Sequence, residues 1–326
     1  MQGRIEVDEK IERSLEAMVD LMPECASEWY YALKARGVTA KSRRDYVNKI
    51  KNFFSAMGYD LEELNVTDIT STDLTKYFSL IQYRTDKDGN KIKNSDSFRN
   101  ATWFALNNFF EYHYNAGHIE KNYMMLVKPM KNVQQNDPAK KIMLTSNDFK
   151  KMLCHVPGED AVMKKRNKAI LLLYMTTGMR RDALCQINIS DINFETKELT
   201  VIDKGEKMHT YMLCKDAYDA LNDWLEVRDG IHHGQTDAAF ITYQGNRVTG
   251  NAMYNMITTC TTRTFGKKIG PHKLRAGLCS ILYEQTHDIE FVRRAIGHSQ
   301  VTTTQKYIVT DGNEKAIASE IIGGLL

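Results

Sequence analysis

Residues 271–307 of the 326-residue chain are PHKLRAGLCSILYEQTHDIEFVRRAIGHSQVTTTQKY. In this stretch His272 lies three positions before Arg275, and a Gly-His pair ending at His298 lies nine positions before Tyr307. A chain of this composition would contain H-x-x-R about 0.4 times by chance, and Gly-His with a tyrosine at that offset about 0.03 times. The order of these residues therefore indicates one site built from basic side chains and a tyrosine.

Two more basic residues upstream are candidates for the same site. Arg180 follows an apolar run that ends in Thr-Gly-Met. Lys204 lies in the polar stretch 203–207, and Lys207 in that stretch is an alternative to it. The short segments on either side of this polar stretch are typical of β-strands, so together they predict a hairpin around the turn. The predicted strands are Leu199–Ile202 and Met208–Leu213.

The remaining sequence has the periodicity of helices, so we predict a mainly α-helical fold with one small sheet (α+β). In the first half, aromatic residues recur at helical spacing, which is more typical of a packed core than of a nucleic-acid stacking surface. A final apolar stripe, Ala316–Leu326, predicts a core helix or a helix that docks on a neighbouring molecule. In the second half we predict helices at Ala169–Thr177, Ala217–Arg228, Ala252–Thr262 and Lys273–Glu284.

A linker separates the two halves. Residues 127–141 contain Pro129 and Pro138, four Asn or Gln residues and four lysines, a composition that favours neither helix nor strand. We therefore predict two domains, residues 1–136 and 137–326, with the linker beginning near residue 127.

The charge is uneven along the chain, although the net charge is only +3. Residues 1–28 are acidic, residues 41–51 are strongly basic, and residues 238–283 contain basic residues and no acid. One-signed patches of this kind bind the phosphate backbone of nucleic acids, although a solvated basic face would have the same composition. The predicted DNA-binding residues are Lys41, Arg43, Arg44, Lys49, Lys51, Arg247, Arg263, Lys267, Lys268 and Lys273.

Composition also argues against several classes of protein. The mean hydropathy is −0.46 and no apolar run is long enough for a membrane span. The six cysteines are scattered without a C-x-x-C pair, which favours a reducing cytoplasm. The sequence lacks the nucleotide-binding loop motifs and the H-E-x-x-H metal motif, and the pair His232-His233 has no acidic neighbours. We therefore expect no cofactor and no metal.

Residues 144–310 resemble the catalytic domain of the tyrosine recombinases, the phage-integrase family that includes the Xer proteins. Thr177–Arg180 with Ile189–Ile192 resembles the first arginine box, Pro271–Arg275 the H-x-L-R box, and Ile296–Ser299 with Thr303–Tyr307 the tyrosine box. Residues 15–120 are similar in pattern to the helical core-binding domain. One difference is that Ala183 stands where the family has an acid, with Asp182 beside it.

The resemblance implies that Tyr307 attacks a DNA phosphate and leaves a 3′-phosphotyrosyl link and a free 5′-hydroxyl. Only about 0.1 % of a tyrosine with its ordinary pKa is ionised at pH 7, so the nucleophile needs a base or a strongly positive pocket. In the family pattern two arginines hold the phosphate, a hairpin lysine protonates the 5′ oxygen, and two histidines bind the phosphate or assist proton transfer. The six residues implied are Arg180, Lys204, His272, Arg275, His298 and Tyr307.

The resemblance further implies a site-specific recombinase or integrase that works without metal or ATP, for a mobile element, DNA inversion or dimer resolution. Its partners would be double-stranded DNA with an inverted-repeat core site, three further copies in a homotetramer, and accessory DNA-bending factors. We expect a cytoplasmic, nucleoid-associated protein whose two domains clamp DNA. Two alternatives remain open: a DNA-binding regulator of the same fold without catalysis, and a type IB topoisomerase-like enzyme. A metabolic enzyme is a more remote alternative.

Overall fold

The computed structural model describes residues 2–130, 144–202, 208–231 and 236–297, without the side chains of residues 2–8 and 10. The chain divides into two compact units, Met1–Gln135 and Asn136–Leu326. The boundary predicted between residues 136 and 137 lies in the segment 131–143, outside the described residues, and it stays a prediction.

The first unit is helical apart from one short hairpin. A left-handed glycine, Gly58, ends the third helix. Within its described residues the α-helices are α1 Gln2–Val19, α2 Glu24–Ala35, α3 Ala40–Met57, α4 Ser71–Leu80 and α5 Asp96–Asn115, and the strands are β1 Tyr83–Thr85 and β2 Lys91–Lys93.

Large aromatic side chains form the core of the first unit. Trp29 on α2 is 1 % exposed, and its ring packs edge-on against Phe109 of α5 at a centroid distance of 5.5 Å. The Trp29 indole N–H donates to the Asn108 side chain at 2.9 Å, which satisfies its polar atom. Phe53 and Phe54 on α3 are fully buried in the same cluster. The prediction that these aromatic residues form a core is confirmed.

The strands β1 and β2 were not predicted from the sequence. Asp86 accepts bonds from the backbone N–H groups of Asp88 and Asn90 and so shapes the turn. Tyr83 pairs with Lys93, but all six strand residues are exposed. Since neither face of the hairpin is buried, the sequence has no alternation of apolar and polar residues that could have predicted the strands.

The second unit combines helices with a three-stranded antiparallel sheet in the order β3-β4-β5. The described helices are α6 Ser146–Leu153, α7 Ala161–Thr177, α8 Arg181–Gln186, α9 Lys215–Arg228, α10 Gly250–Phe265, α11 Pro271–Thr286 and α12 Ile289–Ile296. The strands are β3 Ile192–Asn193, β4 Glu198–Ile202 and β5 Met208–Met212.

Helix α7 lies at the centre of the second unit and packs against α9, α8 and α11. Its residues 169–175 are all buried, which explains their uninterrupted apolar sequence. On β4 the alternate residues Leu199 and Val201 are buried, and Leu199 pairs with Tyr211 of β5. The predicted hairpin and the predicted α+β fold class are confirmed. Among the described helices, none is both long and apolar enough to span a bilayer.

Candidate functional site

Arg180 stands at a sharp turn between α7 and α8. Helix α7 ends at Thr177, and Gly178 follows it in the left-handed conformation with φ of 62°. A Cβ atom at Gly178 would lie 2.9 Å from the Leu278 side chain and 3.3 Å from that of Ile296, so the close packing also requires glycine. Arg180 then occupies the N-cap position of α8 in an extended conformation. The sequence Thr-Gly-Met-Arg therefore turns the chain and places Arg180 where two helices meet.

Arg275 on α11 joins this turn to the end of α12. Its side chain is only 3 % exposed. Its Nη1 donates to the carbonyl oxygen of Gly178, and its Nη2 donates to the carbonyl oxygen of Ile296 at 3.1 Å. Carbonyl partners stabilise a buried guanidinium without neutralising it. A full positive charge is therefore held where α7, α11 and α12 converge.

The two arginines are close enough to influence each other electrostatically. Burial lowers the pKa of Arg275, the neighbouring Tyr211 raises it, and the positive charge of Arg180 lowers it further. The guanidinium of Arg275 keeps its proton nonetheless, because this group is not deprotonated in proteins. Because an anion placed between like charges relieves their repulsion and accepts bidentate bonds from guanidinium groups, this pair is suited to bind a phosphate.

Strand β5 contributes two residues that the sequence analysis did not single out. Tyr211 is buried, and its hydroxyl donates to the carbonyl oxygen of Ile296 at 3.4 Å. The His209 ring packs against the Tyr211 ring at a centroid distance of 4.3 Å, and it lies 3.3 Å from the place that a Cβ of Gly297 would take. Residues 209 and 211 share one strand face because side chains alternate along a strand. Their position directly after the predicted hairpin turn is the sequence signal that could have identified them.

His272 lies one helical turn before Arg275 at the start of α11. Gly270 is the N-cap of this helix and Pro271 its first residue, a position that proline favours because no intrahelical N–H bond is lost there. His272 is exposed, whereas Arg275 is buried. Residues three apart on a helix lie on neighbouring parts of one face. His272 can therefore reach a ligand that approaches Arg275 from solvent.

The comparison with protein families assigns the chain. The model of the phage integrase family matches residues 143–314, just over half of the chain. The chain belongs to the phage integrase family. The matched residues include the turn at Arg180, helix α11 and every residue predicted to be catalytic.

Curated relatives of this phage integrase family protein include tyrosine recombinases named XerC. The XerC of Pseudomonas fluorescens (strain Pf0-1) is 31 % identical over 153 residues, which cover 47 % of this chain and 51 % of the relative. The chain thus spans about half the length of the first curated relatives that it matches. The XerC of Caldanaerobacter subterraneus subsp. tengcongensis is 29 % identical over 260 residues, 78 % of this chain and 70 % of the relative.

A solved structure with a similar fold is that of the XerH site-specific recombinase bound to a palindromic difH substrate in a post-cleavage complex. The TM-score is 0.65 at 21 % sequence identity, and the match covers 96 % of this chain and 95 % of that one. At this identity the likeness concerns the fold alone.

Half of the predicted catalytic set lies within the described part of this phage integrase family chain. Arg180, His272 and Arg275 are described, and Arg180 and Arg275 are brought together. Lys204, His298 and Tyr307, like the segment Ala316–Leu326, lie outside the described residues. His209, two residues after the hairpin turn, lies 3.3 Å from the place that a Cβ of Gly297, the residue before His298, would take.

Ala183 is an apolar residue at the position where the family has an acid, and the side chain of the adjacent Asp182 does not occupy that buried position. Ala183 is buried at 6 % exposure, in the core of the second unit. The side chain of Asp182 is 62 % exposed and accepts a bond from Arg181 at 2.9 Å. Asp182 therefore lies on the surface of α8 and does not fill the buried position of Ala183.

The structure corrects one residue of the predicted DNA-binding set, Arg43. Arg43 is buried at 6 % exposure, and its guanidinium bonds both carboxylate oxygens of Glu12, the nearer at 2.6 Å, and the Tyr30 hydroxyl at 2.9 Å. Arg247 donates to the carbonyl oxygens of Cys185 and Ile187 at 3.1 and 2.9 Å and to the Asn188 side chain at 2.6 Å. Arg43 therefore does not lie on a DNA-binding surface. Arg247 is half-buried and gives these donors to its own unit, and its role in DNA binding stays a prediction. The predicted set also includes Lys49, whose side chain is 12 % exposed and pairs with Asp45 at 2.5 Å.

The other residues of that set are exposed on their own units. In the first unit they are Lys41, Arg44 and Lys51 on α3, and in the second unit Arg263, Lys267, Lys268 and Lys273 around the end of α10 and the start of α11. The four residues of the second unit come from the same connection that leads to His272 and Arg275. Exposed basic side chains therefore lie close in sequence to the residues of the candidate phosphate site.

Proposed function

We propose that this phage integrase family protein is a site-specific DNA recombinase that cleaves and rejoins DNA through a 3′-phosphotyrosyl intermediate. The observation that carries the proposal is the buried positive charge of Arg275, which is held where α7, α11 and α12 converge and is close enough to Arg180 for the charge of that residue to lower its pKa. Such a pair is suited to the phosphate of a DNA strand, and the exposed His272 lies beside it.

In the proposed reaction Tyr307 is the nucleophile. Its hydroxyl oxygen forms a bond to the phosphorus atom as the bond from phosphorus to the 5′ oxygen breaks, and the tyrosine loses its proton. Lys204 supplies a proton to the departing 5′ oxygen, with Lys207 as the alternative in the same turn. Arg180 and Arg275 stabilise the negative charge that develops on the non-bridging oxygens. His272 and His298 donate to the phosphate or move the tyrosine proton.

The second half of the reaction uses the same residues in reverse. A 5′-hydroxyl from a second duplex attacks the phosphotyrosyl bond and releases Tyr307. Because the covalent link conserves the energy of the phosphodiester bond, rejoining requires no nucleotide hydrolysis. Exchange between two duplexes cleaves four strands, so the working assembly is a homotetramer on DNA, with an inverted-repeat core site for each pair of protomers. The segment Ala316–Leu326 is our candidate for contact between neighbouring protomers.

The remaining features follow from the same proposal. Residues 1–136 form the core-binding domain and residues 137–326 the catalytic domain, and together they clamp the DNA. Lys41, Arg44, Lys51, Arg263, Lys267, Lys268 and Lys273 contact the phosphate backbone. The protein acts in the cytoplasm on the nucleoid, for integration of a mobile element, inversion or dimer resolution, with accessory DNA-bending factors as further partners.

Covalent capture tests the proposal. The purified protein is mixed with sheared DNA of its source organism, with and without EDTA, and denatured with SDS, and the DNA linked to protein is sequenced. We expect adducts at one imperfect inverted repeat, absent with Tyr307→Phe and retained with Tyr254→Phe, which changes an exposed tyrosine on α10. Equal yields from Tyr307→Phe and the unmodified chain would eliminate Tyr307 as the nucleophile.

A non-catalytic DNA-binding regulator is the second candidate, and one observation favours it. The buried Ala183 replaces an acid that helps to orient the family's active site. In this case the same experiment would detect site-specific DNA binding before denaturation and no adduct after it. Adducts at many unrelated sequences, with relaxation of supercoiled plasmid and no strand exchange, would instead indicate a type IB topoisomerase-like enzyme.

A further inference from the structure

Three residues of the first unit bring metal-ligating atoms together, away from every residue used above. Glu28 lies on α2, His113 on the last turn of α5, and His118 just beyond the end of that helix. The Nδ1 atoms of the two imidazoles are 3.0 Å apart, and the Glu28 Oε2 atom lies 3.6 Å from Nδ1 of His118. One ligand atom from each of the three residues lies within 4.8 Å of the other two.

The backbone explains why the two histidines meet. Gly117 has φ of 78°, and its N–H bonds the carbonyl oxygen of Tyr114 at 3.1 Å. The N–H of His118 bonds the carbonyl oxygen of His113 at 2.9 Å. This is the Schellman pattern, in which the residue after the left-handed glycine folds back onto the helix. In most helices a hydrophobic pair makes that contact, whereas two imidazoles make it here.

The surroundings of His113 determine which of its nitrogens can bind an ion. The residue is fully buried, and its Nε2 lies 3.0 Å from the carbonyl oxygen of Cys25. A carbonyl oxygen can only accept, so Nε2 carries the proton and Nδ1 directs its lone pair toward His118. An N–H bond to a backbone carbonyl is also the usual outer partner that orients a histidine on a metal.

We propose that Nδ1 of His113, Nδ1 of His118 and the carboxylate of Glu28 bind one transition-metal ion of the Zn²⁺ class. Two nitrogens at 3.0 Å, each at the usual Zn–N distance, subtend an angle of about 94° at the ion, and a separation larger by roughly 0.3–0.4 Å gives the tetrahedral angle. His118 can make that movement because its side chain is 39 % exposed. Imidazole ligands favour Zn²⁺, Co²⁺ and Ni²⁺ over Mg²⁺ or Ca²⁺.

The proposed ion has a structural role and is independent of the recombinase proposal. It joins α2 to the end of α5, so it ties together two helices of the aromatic core. The side chain of Glu28 is 43 % exposed, and with His118 it leaves solvent access for the ion and for a water molecule as fourth ligand. In the competing arrangement, His118 Nδ1–H simply donates to Nδ1 of His113 without any ion.

Metal titration of the full chain separates the two arrangements. The protein is freed of metal with a chelator, exchanged into buffer and titrated with Zn²⁺ by calorimetry, with thermal unfolding followed in parallel. We expect one equivalent to bind and to raise the unfolding temperature. His118→Gln and Glu28→Gln change exposed ligands, and each should weaken binding by at least about tenfold. His155→Gln, an exposed histidine on the surface after α6, should bind as the unmodified chain does.

Two further readouts exclude other ligands. The Co²⁺ complex should have visible absorption bands of a tetrahedral site and no thiolate charge-transfer band, since Cys154 and Cys214 are the exposed thiols among the described residues. The double variant His232→Gln/His233→Gln removes the adjacent histidines noted in the sequence, and it should bind the metal as the unmodified chain does. Absence of binding, equal binding by His118→Gln, or loss of binding only in the 232/233 variant would overturn the proposal.

Discussion

The guanidinium of Arg275 donates to the backbone carbonyl of Ile296 at 3.1 Å, across 21 positions of the chain. Tyr211 donates to the same carbonyl from β5 at 3.4 Å. Two donors from different elements thus hold the last residue of α12 just before Gly297 and His298. The position of the chain entering the tyrosine box is therefore set by a residue that we also propose to bind the phosphate.

Arg275→Lys should abolish most of the activity and also destabilise the second unit. A lysine keeps the charge, but one ammonium cannot bond the carbonyls of Gly178 and Ile296 and also hold a phosphate bidentately. We expect the rate of covalent adduct formation to fall about 10²–10³-fold and the free energy of unfolding to fall by about 1–3 kcal/mol. Adduct kinetics and urea unfolding measure the two effects. Arg263→Lys, on an exposed residue, should change neither appreciably.

Gly178→Ala tests how tightly the turn before Arg180 is packed. Alanine there adopts an unfavourable left-handed conformation, and its Cβ lies 2.9 Å from Leu278. Gly266→Ala is the matched control, because Gly266 has φ of 68° and no atom within 4 Å of its added Cβ. We expect the control to lose about 1 kcal/mol and Gly178→Ala about 1–3 kcal/mol more, by urea unfolding. Equal losses would mean that the packing around Gly178 relaxes freely.

An oxyanion should stabilise the protein through Arg180 and Arg275. Sulfate has the charge and shape of the phosphate and relieves the repulsion between the two guanidinium groups. Sulfate also stabilises proteins by exclusion from their surface, so the readout is the difference between variants. At equal ionic strength, replacing chloride by sulfate should raise the unfolding temperature more for the unmodified chain than for Arg180→Gln. Arg263→Gln should respond as the unmodified chain does, and an identical response of Arg180→Gln would contradict the site.

Glu12 should make the first unit sensitive to acid. Hydrogen bonding from Arg43 lowers the pKa of Glu12 from 4.5 to about 2, against the effect of burial, with help from Lys34 and Tyr30. Because the folded-state pKa lies below the unfolded value, the stabilisation is complete above pH 4.5 and is lost as the pH falls toward 2. We expect Glu12→Gln to lose about 1–3 kcal/mol at pH 7 and to approach the unmodified chain near pH 2 in urea unfolding. Glu63→Gln, on an exposed carboxylate, provides the control, and a constant difference across this range would refute the assignment.

Lys267 and Lys268 should contribute to DNA binding through charge alone. For duplex DNA, log affinity falls linearly as log salt concentration rises. Each phosphate contact that is lost reduces the magnitude of this slope by about 0.9. We therefore expect Lys267→Gln/Lys268→Gln to reduce the magnitude of that slope by about 2, measured by fluorescence anisotropy at several salt concentrations. Lys150→Gln/Lys151→Gln removes two exposed lysines of α6 and should leave the slope unchanged. The same loss in both double variants would indicate that the protein's total charge, and no particular surface, governs binding.

Local sequence pattern predicted most of the secondary structure in the described part of the chain. The two short strand-like segments around the polar turn 203–207 predicted the β4–β5 hairpin. The aromatic repeats predicted buried helix faces, because one face of each helix packs against a core. The strands β1 and β2 were missed because no such face exists there. The helices of the second unit are longer than predicted, as with α11, which was predicted at Lys273–Glu284 and spans Pro271–Thr286, since the apolar pattern does not reach the residues at its ends.

The sequence by itself determined the family, the fold class and the order of the basic residues and tyrosine, because motif spacing and periodicity are local properties of the chain. Only the tertiary structure decided how each basic residue is used. Arg43 and Arg247 look like DNA-binding residues by charge, yet their acceptors lie 31 and about 60 positions away. The pairing of Arg275 with Gly178 spans 97 positions, and the approach of His209 to Gly297 crosses from a strand to a helix end. The sequence shows which residues are charged. Long-range packing determines whether each charge is paired within the protein or is available to a ligand.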